Sequence, residues 1–181
     1  MTVADQLKKI KNNEPAGTKN IIYKGKNQTL PWFEIPVELL KYNYVNGRIA
    51  SDVKEFNQLG KDLDSLEPDE ANSIVAEWLW KKSEPANKKT LQDLTINEQL
   101  EPGVVTSDGI IVDGNRRFML TCKLNEGGAS KRLFKAVILD ETYSDSKSDS
   151  LQIKLLETQL QITKDVEISK SILKSIILNK G

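Results

Sequence analysis

Between Pro102 and Leu139 the chain passes through two short β-rich runs, an Asp-Gly turn, a helical stretch and another β-rich run, an order that leaves few folds open. Pro102-Gly103-Val104-Val105-Thr106 and Ile110-Ile111-Val112 flank Ser107-Asp108-Gly109, which predicts a hairpin. The second run enters Asp113-Gly114 directly. Asn115 to Leu124 then reads as a helix closed by Gly127-Gly128, and Leu133 to Leu139 as a returning strand. Such a strand–turn–helix–strand unit must bury one helix face against a sheet. The expected class is α+β, a small mixed β-sheet with surrounding helices.

Upstream, Leu30-Pro31-Trp32-Phe33-Glu34-Ile35-Pro36 reads as a short strand at a sheet edge, because prolines flank it. Val37 to Leu40 suits one helical turn, and Asn46-Gly47 marks a loop in which both residues tolerate positive φ. Ser51 is placed to cap a helix that Gly60 would stop. After Pro68, the residues Ala71, Ile74, Val75, Trp78 and Leu79 form one apolar stripe at helical spacing. Pro85 is expected to end that helix. Lys88 to Gln99 follows as another, with Leu91, Leu94 and Leu100 facing inward.

The ends read differently. Residues 1–27 look like a basic flexible arm, in which Lys8, Lys9, Lys11, Lys19, Lys24 and Lys26 face only Asp5 and Glu14. It is either a frayed terminus or a surface for nucleic acid or an acidic partner. Tyr143 to Ser150 reads as a loop, and 151–162 as a helix with Ile153, Leu156 and Leu160 on one side. Residues 163–181 form a C-terminal amphipathic helix or tail, whose Ile168, Ile172, Leu173, Ile176 and Ile177 either complete the core or make a homodimer contact.

Composition excludes several chemistries. There is no histidine, which removes His-activated nucleophiles and the common zinc and iron ligand sets. The single cysteine, Cys122, rules out an intrachain disulfide. Lys plus Arg and Asp plus Glu number 26 each, so polyanion binding would need a local patch. No apolar run suits a membrane span or a signal peptide, and a cytoplasmic location is expected. The acidic run Asp62, Asp64, Glu67, Asp69 and Glu70 reads as solvated surface and helix N-terminal charge. Trp32 and Phe33 should split between surface and core by strand alternation. Tyr42 and Tyr44 read as packing residues, with stacking on a base as the alternative.

The turn Asp113-Gly114-Asn115-Arg116-Arg117 carries the chemistry. A glycine admits close approach of a ligand, and the first helical turn presents N–H donors with a partial positive charge. Two arginines beside it can grip phosphate oxygens. The other reading is that one or both make structural salt bridges. Two arginines in succession are mildly unfavourable at a helix N-terminus, which points to an anionic partner.

This turn resembles the Gly-x-Arg-Arg box of the ParB/sulfiredoxin-like family, also called ParB-like nuclease domains. Asn43-Tyr44-Val45-Asn46-Gly47-Arg48 is similar to that family's first box, Asn-Pro-x-x-x-Arg, and Leu156-Glu157-Thr158-Gln159-Leu160-Gln161 sits where its Glu-Asn-x-x-Arg box falls. The resemblance spans roughly Leu30 to Gln161 and implies one ParB/sulfiredoxin-like domain over residues 28–162. It implies that Arg48, Gly114, Asn115, Arg116 and Arg117 bind the phosphates of a nucleoside triphosphate. It also implies that Glu157 is the catalytic and metal-side carboxylate, holding Mg2+. Thr158 replaces the family's Asn, and no Arg follows in that box. Asn115 stands where sulfiredoxins carry their catalytic cysteine, and the turn lacks the His of the family's free-serine kinases. The expected function is a nucleotide-binding domain, a weak Mg-dependent NTPase acting in a DNA-linked process. The alternatives are a non-catalytic DNA-binding or regulatory module and, more distantly, a metal-dependent nuclease.

Overall fold

The computed structural model describes residues 1–128 and 131–143, together with positions 156, 160, 166, 167, 169, 170, 171 and 174. Five strands form one mixed sheet: β1 (Gly17–Tyr23), β2 (Lys26–Ile35), β3 (Gly103–Val105), β4 (Ile111–Asp113) and β5 (Phe134–Ile138). Their order across the sheet is β1-β2-β5-β3-β4. The α-helices whose bounds lie within the described residues are α1 (Val3–Lys11), α2 (Ala50–Gln58), α3 (Pro68–Lys82), α4 (Glu84–Asn97) and α5 (Asn115–Gly127). No helix among the described residues is long and apolar enough to cross a membrane.

The unit expected around the Asp-Gly turn forms. β3 and β4 make the antiparallel hairpin, α5 crosses over, and β5 returns parallel to β3, pairing Gly103 with Ala136 and Val105 with Ile138. Crossing back over β3 places β5 at the centre of the sheet, where β2 adds antiparallel from Trp32↔Val137 to Ile35↔Phe134. Alternation along the strands makes two apolar faces. Phe33, Ile35, Val105, Ile111, Phe134, Ala136 and Ile138 face the helices. Ile21, Tyr23, Val104, Val112, Val137 and Leu139 face the other way, where Leu156 lies 1% exposed among them. Trp32 and Phe33 split as alternation requires, Trp32 half-buried and Phe33 buried.

On the helical side the stripe Ala71, Val75 and Leu79 of α3 is buried, with Ile74 and Trp78 partly so. Phe118 of α5 stands edge-on between Tyr42 and Phe134, with ring centroids 5.0 and 5.5 Å away. Tyr42 is therefore core. Tyr44 is half-buried against the same cluster, so packing accounts for both tyrosines.

Several expectations need correction. Residues 1–27 are no arm. Thr2 and Asp5 form a reciprocal capping box at the start of α1, Leu7 is 0% exposed in the main core, and β1 pairs along its length with β2. Three of the six lysines there, Lys11, Lys19 and Lys24, form ion pairs with Asp140, Glu101 and Glu141 of the same chain. The basic charge is thus partly answered within the fold. β2 is an interior strand, flanked by β1 and β5. Pro31 is tolerated because pairing with β5 begins only at Trp32, so the missing N–H lies beyond the ladder's end. The β1–β2 turn at Lys24-Gly25 uses positive φ at both residues, 52° and 71°. The Asn46-Gly47 loop does not: there the Asn46 side chain accepts from the Arg48 N–H at 2.9 Å.

Pro85 opens α4 instead of ending α3, and Ser83 is the joint between them. This follows from proline needing no N–H partner in a first turn. Ser51 lies inside α2, which starts without a side-chain cap. Leu100 is 77% exposed, not inward. Asp62 accepts from the Asp64 N–H, and Asp69 and Glu70 fill the first turn of α3, as the surface-charge reading of the acidic run expects. Residues 163–181, with their expected homodimer contact, lie mostly outside the described residues.

Candidate functional site

At the end of β4 the chain turns at Gly114, whose φ of 103° is left-handed. A Cβ there would meet Phe134 Cζ at 3.1 Å and the Cα of Gly103 at 3.4 Å, so the close approach of the Phe134 ring and the Gly103 backbone also calls for glycine. α5 starts immediately after. No side chain caps it and no acid sits in its first turn. Its first N–H groups are left for another acceptor.

A buried hydrogen bond ties the loop of the first box to this turn. The Asn43 N–H donates to the side-chain Oδ1 of Asn115 at 3.3 Å, while Asn115 Nδ2 donates to the Ile111 carbonyl at 3.3 Å. Asn43 Oδ1 accepts from the Val45 N–H, and buried Ile49 anchors the far end of the loop. Between these anchors Arg48 is exposed and projects toward Arg116.

The two arginines of the turn do different things. Arg117 donates to the Glu101 carbonyl at 2.6 Å and to Asp113 Oδ2 at 3.3 Å, clamping the segment before β3 to the end of β4. Among the described residues Arg116 bonds only to neutral oxygens, Asn87 Oδ1 at 2.6 Å and Thr90 Oγ1 at 3.1 Å, both from α4. Burial first, and then the charge of Arg48, pull its pKa below the usual arginine value. Among the described residues neither Arg48 nor Arg116 meets a carboxylate within ion-pair distance. The two guanidinium groups thus sit near each other with no carboxylate at ion-pair distance among the described residues, although Glu101 and Glu167 also line the cleft.

Arg48, Gly114, Asn115, Arg116 and Arg117 line one cleft of about 410 Å3, with Asn46, Thr90, Glu101 and Glu167. That volume lies in the range of small-molecule sites. The Glu101 carboxylate is engaged by Lys19 at 2.9 Å. A second cavity of about 310 Å3 shares Arg48 and Arg116 and adds Leu79, Lys82, Ser83 and Asn87, with Lys82 paired to Asp52 at 2.7 Å. A third, of about 280 Å3, mixes Glu34 and Glu98 with Lys131, Arg132 and Lys135. There Lys131 pairs with Glu38, Lys135 with Glu98, and Arg132 with the carbonyls of Leu94 and Thr95, so its cations are committed within the fold.

Glu157, expected to carry metal and catalysis, lies outside the described residues. Among the described residues no group of three or more Cys, Asp or Glu side chains could hold a metal ion. Burial, then Glu126 and Glu38, push the Cys122 thiol up to about 12, so it is no nucleophile at neutral pH. Sequence reading missed Asn87 and Thr90. The available signal was their position on the inward stripe of α4, one turn apart and at i−4 from Leu91 and Leu94, where apolar residues would otherwise be expected. No family model matches the chain, and no curated protein or solved structure matches it either.

Proposed function

We propose that the cleft binds the phosphate groups of a nucleotide and that the protein is a phosphate-binding module of ParB/sulfiredoxin-like type, acting in a DNA-linked, cytoplasmic process. The carrying observation is the convergence of Arg48 and Arg116, without carboxylate partners among the described residues, on the uncapped N-terminus of α5. The helix amides and Arg116 would hold a terminal phosphate and Arg48 its neighbour. Arg117 and Asn115 act mainly by shaping the cradle, since their side chains are bonded to Glu101, Asp113, Ile111 and Asn43.

A nucleoside triphosphate would bring Mg2+, which prefers carboxylate and phosphate oxygens. Around the cleft the described residues offer it Glu167 and Glu101, the latter held by Lys19. That set does not make a metal site, so hydrolysis has no metal ligands to run on among the described residues. Binding without turnover is the reading these residues favour. A nuclease reading meets the same obstacle.

One observation favours a second reading. The adjoining cavities share both arginines and extend to Lys82, a track that would also suit the backbone of a nucleic acid. The two are separated by binding and phosphate-release assays with CTP, ATP, GTP and UTP, with magnesium, with and without DNA. Nucleotide binding that DNA does not displace supports the first. Salt-sensitive DNA binding indifferent to every nucleotide supports the second and overturns the first.

A further inference from the structure

We infer that Asn87 is the positioning residue for Arg116, and that an amide stands there because it holds the guanidinium without neutralising it. The inference rests on the phosphate-binding reading of the cleft. Asn87 lies in the first turn of α4 and its side chain is 0% exposed. Nδ2 donates to the carbonyls of Leu79 and Trp80, in the last turns of α3, at 3.0 and 2.9 Å. Those two acceptors fix which way the amide faces, because its oxygen in that place would be set against two carbonyls. Oδ1 is thereby turned onto Arg116 Nε at 2.6 Å.

Thr90 completes the hold one turn later. Its hydroxyl donates to the Ala86 carbonyl at 2.9 Å, so its lone pairs are left for Arg116 Nη2 at 3.1 Å. Arg116 is thus fixed in plane by two neutral acceptors that use two of its five N–H donors. The rest, and the full charge, remain for a ligand. An aspartate at position 87 would grip the guanidinium harder but cancel its charge, and it would face the two α3 carbonyls with no proton to give. The cleft is also tied to the α3–α4 joint, since the Asn87 N–H bonds the Ser83 carbonyl at 2.8 Å.

The test measures inorganic tripolyphosphate binding by calorimetry in the wild type, Asn87→Ala, Arg116→Ala and the double variant. Each single change should weaken binding on the order of tenfold, and the double should bind no more weakly than Arg116→Ala, because Asn87 acts through Arg116. Additive losses would overturn the inference. A second measurement needs neither a ligand nor a folded variant at position 87. The arginine Nε–H signal absent from Arg116→Ala spectra should exchange slowly with water in the wild type. Exchange as fast as in a free arginine side chain would overturn the hold. If the wild type takes up no tripolyphosphate, the phosphate reading fails while the Nε–H exchange still decides the role of Asn87.

Discussion

Asn43 and Asn115, 72 positions apart, meet through a buried hydrogen bond of 3.3 Å that ties the loop carrying Arg48 to the turn holding Arg116. The amide of Asn115 works on both sides, reaching the Ile111 carbonyl as well. Asn115→Ala leaves the Asn43 N–H buried and without that acceptor. It should destabilise the fold by about 1–3 kcal/mol in urea denaturation and weaken polyphosphate binding as the Arg48 loop loosens. A fully stable variant with unchanged affinity would show that the loop is held by something else.

Arg116 and Arg117 are adjacent but should separate cleanly in experiment. Arg117→Ala removes the clamp on Glu101 and Asp113 and should cost stability, about 1–2 kcal/mol, with a smaller effect on binding. Arg116→Ala should do the reverse. Paired thermal melts and titrations of the two variants check this, and equal effects on both readouts would contradict the division of labour.

Gly114 has a left-handed φ and little room, so Gly114→Ala should cost about 1–3 kcal/mol. Denaturant midpoints measure it. A neutral result would mean that the backbone can shift at this turn, and the cradle geometry would then be softer than described.

The first residues belong to the core. Leu7→Ala should cost about 2–4 kcal/mol by equilibrium unfolding, where a frayed arm would give no change. The α1 capping box also carries a pH dependence. The Thr2 side-chain hydrogen bond and then its backbone N–H hold Asp5 below the usual aspartate range. A depressed folded-state pKa means that this contribution is present above the ordinary aspartate pKa and fades as pH falls through the lower folded value. Protection factors of the Asp5 and Gln6 amides, corrected for the intrinsic pH dependence of exchange, should therefore fall selectively in acid.

Cys122 should resist thiol reagents at pH 8 in the native protein and react fully on unfolding, because its pKa is raised to about 12. The raised value means that its stabilising preference for the neutral thiol is complete below the ordinary thiol range and is lost as pH rises toward 12. Rapid native labelling would contradict this.

Much of the central unit was legible because its signals are local. The Asp-Gly hairpin, the Asp113-Gly114 turn and the α3 stripe each show within a few residues. What escaped depends on distant partners. The lysines of residues 1–27 looked unanswered because Asp140, Glu101 and Glu141 lie far along the chain. Pro31 suggested an edge because no local signal shows where β5 begins to pair. The five residues expected to bind phosphate do line one cleft, yet their unequal roles follow from hydrogen bonds to Asn87, Thr90, Glu101 and Asn43, which no spacing reveals.

Arg116, charged and answered among the described residues only by neutral groups, is the residue proposed to bind phosphate. Calorimetric titration of CTP, ATP, GTP and UTP into the wild type and Arg116→Ala, at low and moderate salt, tests it most directly. The wild type should bind at least one nucleotide saturably, and Arg116→Ala should lose that binding while melting at nearly the same temperature. Absence of binding to the wild type, or unchanged affinity in Arg116→Ala, would contradict it.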